Sequence, residues 1–417
     1  MMRTALYRYF AREFRKRRKK TALITFAITW GTLSILLLMS FGRGLSNSFR
    51  ISFKGLGDNL IMVYRGQTSK DYQGLPKGRR IMIYPGDIAL LSALIPEIER
   101  ISPESNNYVT VNGGGRETNR NVCGVGPSFG LMRSMIADSG GRFFNDEDET
   151  SARRVTFIGW NMASNLFPGE NPVGRTIVIN RVPFTVIGVM KKKLQSSSYQ
   201  GFDADHAYIP YSTFSRIDSQ LYLDRIHVQP KRREDNKLVA RRIREILGRK
   251  YRFDPKDDYA LGIWNTIEQA QVAGKVFKGI EIFLAMIGGL TLIIGAVGVT
   301  NLMYALVKER TREIGIKMAL GARRRHIILQ FLLETAFIFA KGTFWGTAIA
   351  YAIVRLTRLI PISYEISGIQ TYLLRPIFSL DILIIFLVIL GTLVFLSGIF
   401  PAARASRLNP VESLRYE

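Results

Sequence analysis

Apolar residues follow two patterns along this chain: long unbroken runs near its start and through its last third, and short alternating stretches between them. No charge interrupts Thr21 to Gly42, which is 22 positions, or Ile282 to Val307, which is 26. At the rise of an α-helix either run crosses a hydrocarbon layer of about 30 Å. A third run, Ile382 to Ala403, begins after Asp381 and stops at Arg404. A fourth, Ile327 to Val354, has the length and general hydropathy of a span but contains Glu334 and Lys341. It is assigned as a helix because the flanking charge requires an even number of crossings.

Residues 57–262 read differently, as short β-branched runs punctuated by Gly, Pro and Asn. Leu60 to Tyr64, Val109 to Val111, Arg154 to Gly159 and Thr176 to Val189 predict strands. Asn180-Arg181, between TIVI and VPFTVIGVM, predicts a hairpin turn. Asp87 to Leu94 and Asn161 to Leu166 predict short helices, and residues 231–249 a charged amphipathic one. The whole reads as an α+β domain of two subdomains, since roughly 200 residues is long for one core.

Charge sets the orientation. The first 20 residues carry Arg3, Arg8, Arg12, Arg15, Lys16, Arg17, Arg18, Lys19 and Lys20 against one acid, Glu13. The short segment between Val307 and Ile327 carries Lys308, Arg310, Arg312, Lys317, Arg323, Arg324 and Arg325, and the tail carries Arg404, Arg407 and Arg415. By the positive-inside rule all three regions are cytoplasmic, and the long external segment translocates regardless of its charge. The expected division is a basic amphipathic segment (1–20), a first span (21–43), an external domain with stalk helices (44–277) and a second span (278–307). A cytoplasmic loop (308–326), a third span (327–356), a short external loop (357–378), a fourth span (379–403) and a cytoplasmic tail (404–417) follow. The first apolar run exceeds a signal-peptide core of about 7–15 residues and lacks a clean cleavage pattern, so an uncleaved span is expected. Leu6, Tyr7, Phe10 and Phe14 among the basic residues fit a helix lying on the inner leaflet lipids; a generic basic flank that only sets topology is the plainer alternative.

A net charge of +25 and a pI near 10.2 over 417 residues would ordinarily point to nucleic acid. The apolar runs are too long for a soluble core, and nucleic acid is not expected as a partner. One cysteine, Cys123, permits no internal disulfide, and three histidines leave little for a metal centre. Asp203-Ala204-Asp205-His206 could bind a metal, but a polar loop before a strand is the plainer reading; His227 reads as structural. Gly113-Gly114-Gly115 lacks the Lys-Ser or Lys-Thr of a phosphate loop, and Gly124-Val125-Gly126 lacks dinucleotide spacing. No nucleophile elbow occurs, so no catalytic residue, metal or cofactor is assigned to this chain.

The most specific segment is ERTREIGIKMALGARRR, residues 309–325. Thr311, Ile314, Met318 and Leu320 approximate one helical face, and Arg310, Arg312, Glu313 and Lys317 surround it with charge. Gly321 is a natural terminator. A short helix under the membrane is predicted; a solvated basic loop is the alternative.

This segment resembles the cytoplasmic loop of the MacB/FtsX-type ABC transporter permeases. GGLTLIIGAVGVTNLM (288–303) resembles the span before that loop, and GIFPAARASRLNPVESLRYE (398–417) resembles the C-terminal signature, with Pro401, Arg404, Asn409-Pro410 and Leu414-Arg415 in place. GRFFNDEDE (141–149) and residues 155–190 resemble the family's periplasmic core domain.

The resemblance implies an α-helical membrane protein with four transmembrane helices and a large α+β extracytoplasmic domain, porter- and sabre-like, on a helical stalk. It implies a dimer with a second permease subunit, the same or different, in a bacterial inner membrane. It makes residues 309–321 a coupling helix on an ATPase present in two copies, with Arg310, Thr311, Arg312, Glu313, Ile314, Gly315, Lys317, Met318, Leu320 and Gly321 as its site residues. Ile314, Met318 and Leu320 are expected to bury against that ATPase. No GxxxxGK[ST] motif occurs, so ATP and Mg are expected in a separate ATPase subunit and this chain is expected to hydrolyse nothing. Lys341 stands where the family would carry an apolar residue. Glu334, about 10.5 Å away along the axis, shares its face, and the two are expected to be structural, Glu334 reaching the interface and Lys341 pairing within the bundle.

The expected function is ATP-driven efflux by mechanotransmission, with a periplasmic adaptor and an outer-membrane channel as further partners. Two alternatives stay open. One is an FtsX-like transmitter that regulates a cell-wall hydrolase, and the other is lipoprotein release.

Overall fold

The computed structural model describes residues 18–54, 57, 59–193, 200–359, 363–366, 369–372, 376–378 and 380–407. The proposed surface helix with Leu6, Tyr7, Phe10 and Phe14, and the tail positions Asn409-Pro410 and Leu414-Arg415, lie outside the described residues. The chain separates into two compact units, one of Met1–Asn47, Val276–Ile362 and Tyr372–Glu417, the other of Ser48–Lys275 and Ser363–Thr371.

In chain order the elements begin with a long helix α1 (Arg18–Lys54), then β1 (Ile61–Gln67), β2 (Arg80–Ile81), α2 (Gly86–Leu94), β3 (Ile98–Gly113) and β4 (Arg116–Val125). Next come α3 (Phe129–Met132), α4 (Asp146–Thr150), β5 (Val155–Ile158), α5 (Trp160–Leu166), β6 (Thr176–Ile179) and β7 (Val182–Val189). They continue with β8 (Ala207–Pro210), α6 (Tyr211–Ile217), β9 (Arg225–Pro230), α7 (Asn236–Tyr251) and β10 (Leu261–Asn265). The last third holds α8 (Thr266–Glu309), α9 (Thr311–Ala319), α10 (Arg324–Leu359), the strand pair β11 (Ser363–Ile366) and β12 (Ile369–Tyr372), and α11 (Leu380–Ser406).

The unit of Ser48–Lys275 is built on one sheet in the order β10-β1-β9-β3-β4-β8-β5-β7-β6, with β6 pairing back onto β3. That last pairing, Val111 with Ile179 and Asn112 with Val178, closes β3, β4, β8, β5, β7 and β6 into a ring. Ile177, Ile179, Phe184, Val186, Ile209 and Val111 fill the ring, each at most 1% exposed. Full burial of such side chains contributes about 1.5–3 kcal/mol each. Asn180 (φ 45°) and Arg181 (φ 68°) make the β6–β7 turn, both in the left-handed region that primed two-residue hairpins require.

On the other side of β3, the strands β9, β1 and β10 are covered by α2 and α7. Val239, Ile243 and Leu247, one helical stripe of α7, pack with Leu91, Ile61, Val63, Ile226 and Val228. These two apolar cores lie along one 16-residue strand, β3, and a third, around Phe129, Phe144, Phe157 and Tyr208, adjoins them; residues 48–275 form one compact unit. The charged helix begins at Asn236, later than predicted, because Lys231 still donates its N–H to Glu97 O and the next residues turn.

In the other unit α1, α8, α10 and α11 are each long and apolar enough to cross a membrane. They approach closely through small residues, the usual means of packing where lipid gives no hydrophobic drive. A Cβ on Gly342 would lie 2.7 Å from Ile28, one on Gly346 2.6 Å from Thr32, and one on Gly288 2.4 Å from Ile35. The Thr29 hydroxyl donates to Thr25 O at 2.7 Å and to Gly342 O at 3.2 Å across the α1–α10 contact. Large apolar side chains such as Phe26, Ile294, Phe344 and Phe400 stay exposed, as on helices whose surroundings are hydrocarbon.

Candidate functional site

The segment after α8 turns sharply at Arg310 (φ −105°, ψ 13°) and starts α9. Local chemistry explains the break. The Thr311 hydroxyl bonds back to Lys308 O at 2.9 Å, a carbonyl at the end of α8, and to Val307 O at 3.1 Å, which also accepts the Arg310 N–H at 3.2 Å. Glu313 in the first turn and Lys317 in the last suit the helix dipole. Gly321 (φ +95°) ends α9. Its N–H binds Met318 O at 3.1 Å and the Ala322 N–H binds Lys317 O at 3.0 Å, the bond pair of a Schellman cap.

The inner side of α9 is tied to α10. Arg310 Nη1 donates to both oxygens of Glu334, at 3.1 and 3.2 Å, and both side chains are buried. Gln330 Nε2 donates to Glu334 Oε1 at 3.1 Å, and Lys317 Nζ donates to Gln330 Oε1 at 3.1 Å. Ile314 is 4% exposed and belongs to the same apolar core as Phe331, Ile338 and Val307, with Met318 and Ala322 packed against it.

The outer side carries Arg312, Glu313, Ile316, Ala319 and Leu320, all exposed, with Ile316 at 43% and Leu320 at 84%. This corrects the expected face. Ile314 and Met318 pack into the chain's own bundle, because a helix folded back on its parent spans must bury one stripe there. The apolar pair left outward is Ile316 and Leu320.

The intramembrane charges also differ from expectation. Glu334 does not reach an interface alone but pairs with Arg310. Lys341 does not pair within the bundle; it is exposed on α10 and has no ion pair among the described residues.

In the other unit, the Asp203–His206 motif is no polar loop. Asp203 is buried and accepts from Arg133 Nη2 at 2.9 and 3.1 Å and from the Tyr208 hydroxyl at 3.1 Å, with Lys193 Nζ 2.7 Å away. Burial opposes its charge, yet Arg133 and Lys193 hold the Asp203 carboxyl well below the usual carboxylate range. His227 is buried and bonded to Glu104; burial pushes its pKa down against the pull of Glu104. Glu104 is lowered despite burial, by His227, Arg225 and Arg133. Burial, with Glu104 and Asp203 close by, pushes the Cys123 thiol up, which makes it a poor nucleophile. Among the described residues no group of three or more His, Cys, Asp or Glu could hold a metal. Sequence spacing carried no sign of these pairs, whose partners stand 70 and 123 residues apart.

A membrane protein with four spans and an α+β extracytoplasmic domain is thus defined. Residues 21–246 match the model of the MacB-like periplasmic core domain, and residues 285–410 match that of the FtsX-like permease C-terminal domain. The chain belongs to the MacB/FtsX-type ABC transporter permeases. It is 29% identical over 401 residues to a "Macrolide export ATP-binding/permease protein MacB" of Bdellovibrio bacteriovorus, covering 95% of this chain and 59% of that one. It is 30% identical over 402 residues to a "Pyoverdine export ATP-binding/permease protein PvdT" of Pseudomonas aeruginosa, covering 95% and 56%. The chain therefore spans less than two thirds of the length of either relative. Among solved structures, the periplasmic region of MacB from Actinobacillus actinomycetemcomitans aligns with a TM-score of 0.43 at 20% identity, covering 53% of this chain and 94% of that one.

Proposed function

We propose that this chain is the transmembrane subunit of an ATP-driven extrusion complex in a bacterial inner membrane, with both termini cytoplasmic. α9 rests in a groove of a P-loop ATPase whose residues lie outside these 417. Two permease copies, or one copy with a different permease, pair with two ATPase copies. ATP and Mg act there, and closure of the ATPases drives the extracytoplasmic domains instead of moving cargo between the spans. Cargo is taken from the periplasmic side, with an adaptor and an outer-membrane channel completing the route.

The observation that carries this reading is the outward stripe of Ile316 and Leu320, flanked by Arg312 and Glu313, on a helix whose other stripe is fixed to the bundle. The match of residues 21–246 to a MacB-like periplasmic core favours extrusion over hydrolase signalling. The test is to reconstitute the chain with its P-loop ATPase and measure complex formation and ATP turnover. Leu320→Asp places a charge where an apolar anchor docks and should weaken the complex at least thirtyfold, roughly 2 kcal/mol. Wild-type docking in that variant would leave α9 without its assigned role.

A further inference from the structure

Force delivered to a short helix does work elsewhere only if the helix is stiffly joined to something that moves. Continuity of the chain would join α9 to α8, yet the junction at Arg310 is a sharp turn at which regular helix stops. The side chains make a different joint. Arg310, at the start of α9, grips both oxygens of Glu334 on α10. Lys317, in the last turn of α9, reaches Gln330, one helical turn before Glu334, and Gln330 in turn donates to Glu334. The two ends of α9 are thus tied to two adjacent positions of α10 by a continuous chain of hydrogen bonds. Between them Ile314 and Met318 pack against the shared apolar core. Breaking the central pair would strand a charge away from water, so neither partner leaves alone.

From this geometry we infer that Arg310, Lys317, Gln330 and Glu334 clamp α9 to the first turns of α10, so that displacement of α9 is delivered to the third span as a rigid-body movement. These are positioning residues: none belongs to the outward docking stripe. The inference rests on the proposed role of α9 as the ATPase contact, but the rigidity of the clamp is a property of this chain alone.

The experiment places nitroxide labels at Ala319 on α9 and Leu329 on α10, both exposed, in a Cys123→Ser background of the full chain in lipid nanodiscs. The expected result is one narrow inter-label distance, the same for the chain alone, with its ATPase, and after trapping with ATP and vanadate. Glu334→Gln should broaden or split that distance while ATPase copurification stays within about twofold of wild type. In the same variant, the nucleotide-dependent change in thiol labelling of a cysteine at Leu356, near the far end of α10, should fall at least about fivefold. Arg310→Met combined with Glu334→Leu removes both charges together and should keep the narrow distance, because an apolar pair of similar volume can replace a buried ion pair. Gln330→Ala, a milder cut, should fall between. A wild-type distance that shifts between nucleotide states overturns the inference, since α9 then pivots on α10. So does a Glu334→Gln chain with both distance and labelling intact. Failure of every chain, wild type included, to hold an ATPase would sink the docking role of α9, and the distance measured on the chain alone would still decide the clamp.

Discussion

At the scale of single residues, side chains on the same short helix separate by what they touch. Met318 packs on the bundle core and Leu320 faces outward. Met318→Glu should therefore act on the fold, lowering the yield of detergent-stable chain, because it drives an unpaired charge into an apolar core. Leu320→Asp should leave that yield unchanged and act on docking. Gly321→Val tests the cap. A Cβ there meets nothing within 4 Å, so the whole cost is the backbone at φ +95°, which a β-branched residue resists. A loss of about 1–2 kcal/mol is expected, read as faster amide exchange in the last turn of α9. Unchanged exchange would mean that the turn has another solution.

Buried ionisable groups in the extracytoplasmic unit give a signed pH response. Burial lowers His206 and His227 against the pull of Asp203 and Glu104. A group with a lowered folded-state pKa takes its proton more readily when unfolded, so stability is full above about pH 6.5 and declines as pH falls. The lowered carboxyls Glu104, Asp203, Asp148 and Asp257 add a second loss below about pH 4. Glu149, raised first by burial, runs the opposite way and is one group against these. Amide protection in β3 and β9 should fall from pH 7 to pH 5. His227→Gln, which keeps a donor for Glu104 but does not titrate, should flatten part of that fall. If its slope matches wild type, His227 is not a source of the response.

At the scale of elements, the tightest local signals were the most legible. The β6–β7 hairpin was readable because alternation and a two-residue turn lie within one short window. Arg181 occupies a position where glycine is the usual choice, so Arg181→Gly should stabilise the domain, by about 0.5–1 kcal/mol; a lower melting temperature would count against a primed turn. β4 and the first two thirds of β3 were not readable. Pro103, Ser105, Asn106 and Asn107 give that stretch the composition of a loop, and it is a strand because β9 pairs it up to Glu104 along one edge and β4 pairs it from Glu104 onward along the other. The glycines at 113–115, unfit for phosphate, form the tight β3–β4 turn, with Gly114 at φ +57° and its missing Cβ 2.3 Å from Leu166 O. Ring closure through β6 and β3 depends on partners about 68 residues apart in sequence, and no local pattern encodes it. The segment 309–321 was legible as a helix ended by Gly321. Its inward stripe was not, because one amphipathic face looks the same whether it meets its own bundle or a partner. Gly342 and Gly346, four apart in an apolar run, are the sequence sign of the α1–α10 contact, where small residues let the helices approach.

At the scale of the whole molecule, charge supplies the expectation for which loops and termini lie in the cytoplasm. Lys308, Arg310, Arg312 and Lys317 cluster with Arg323, Arg324 and Arg325 around α9, whereas α8 and α10 carry few charges through their apolar windows. Short basic loops are retained in the cytoplasm and long domains cross regardless of charge. The reporter positions must themselves be accessible. Gly315 is buried, so a cysteine there would escape labelling on either side and report nothing. Leu320 and Tyr108 are exposed, at 84% and 65%, and serve better. In a Cys123→Ser background expressed without its ATPase, which would otherwise cover the position, a cysteine at 320 should resist an impermeant thiol reagent in intact cells and react once the inner membrane is opened. A cysteine at 108 should react as soon as the outer membrane alone is permeabilised. Labelling at 320 in sealed cells would put α9 on the periplasmic side, out of reach of any ATPase. The four-span arrangement with cytoplasmic termini and the docking role of Ile316 and Leu320 would then fall together.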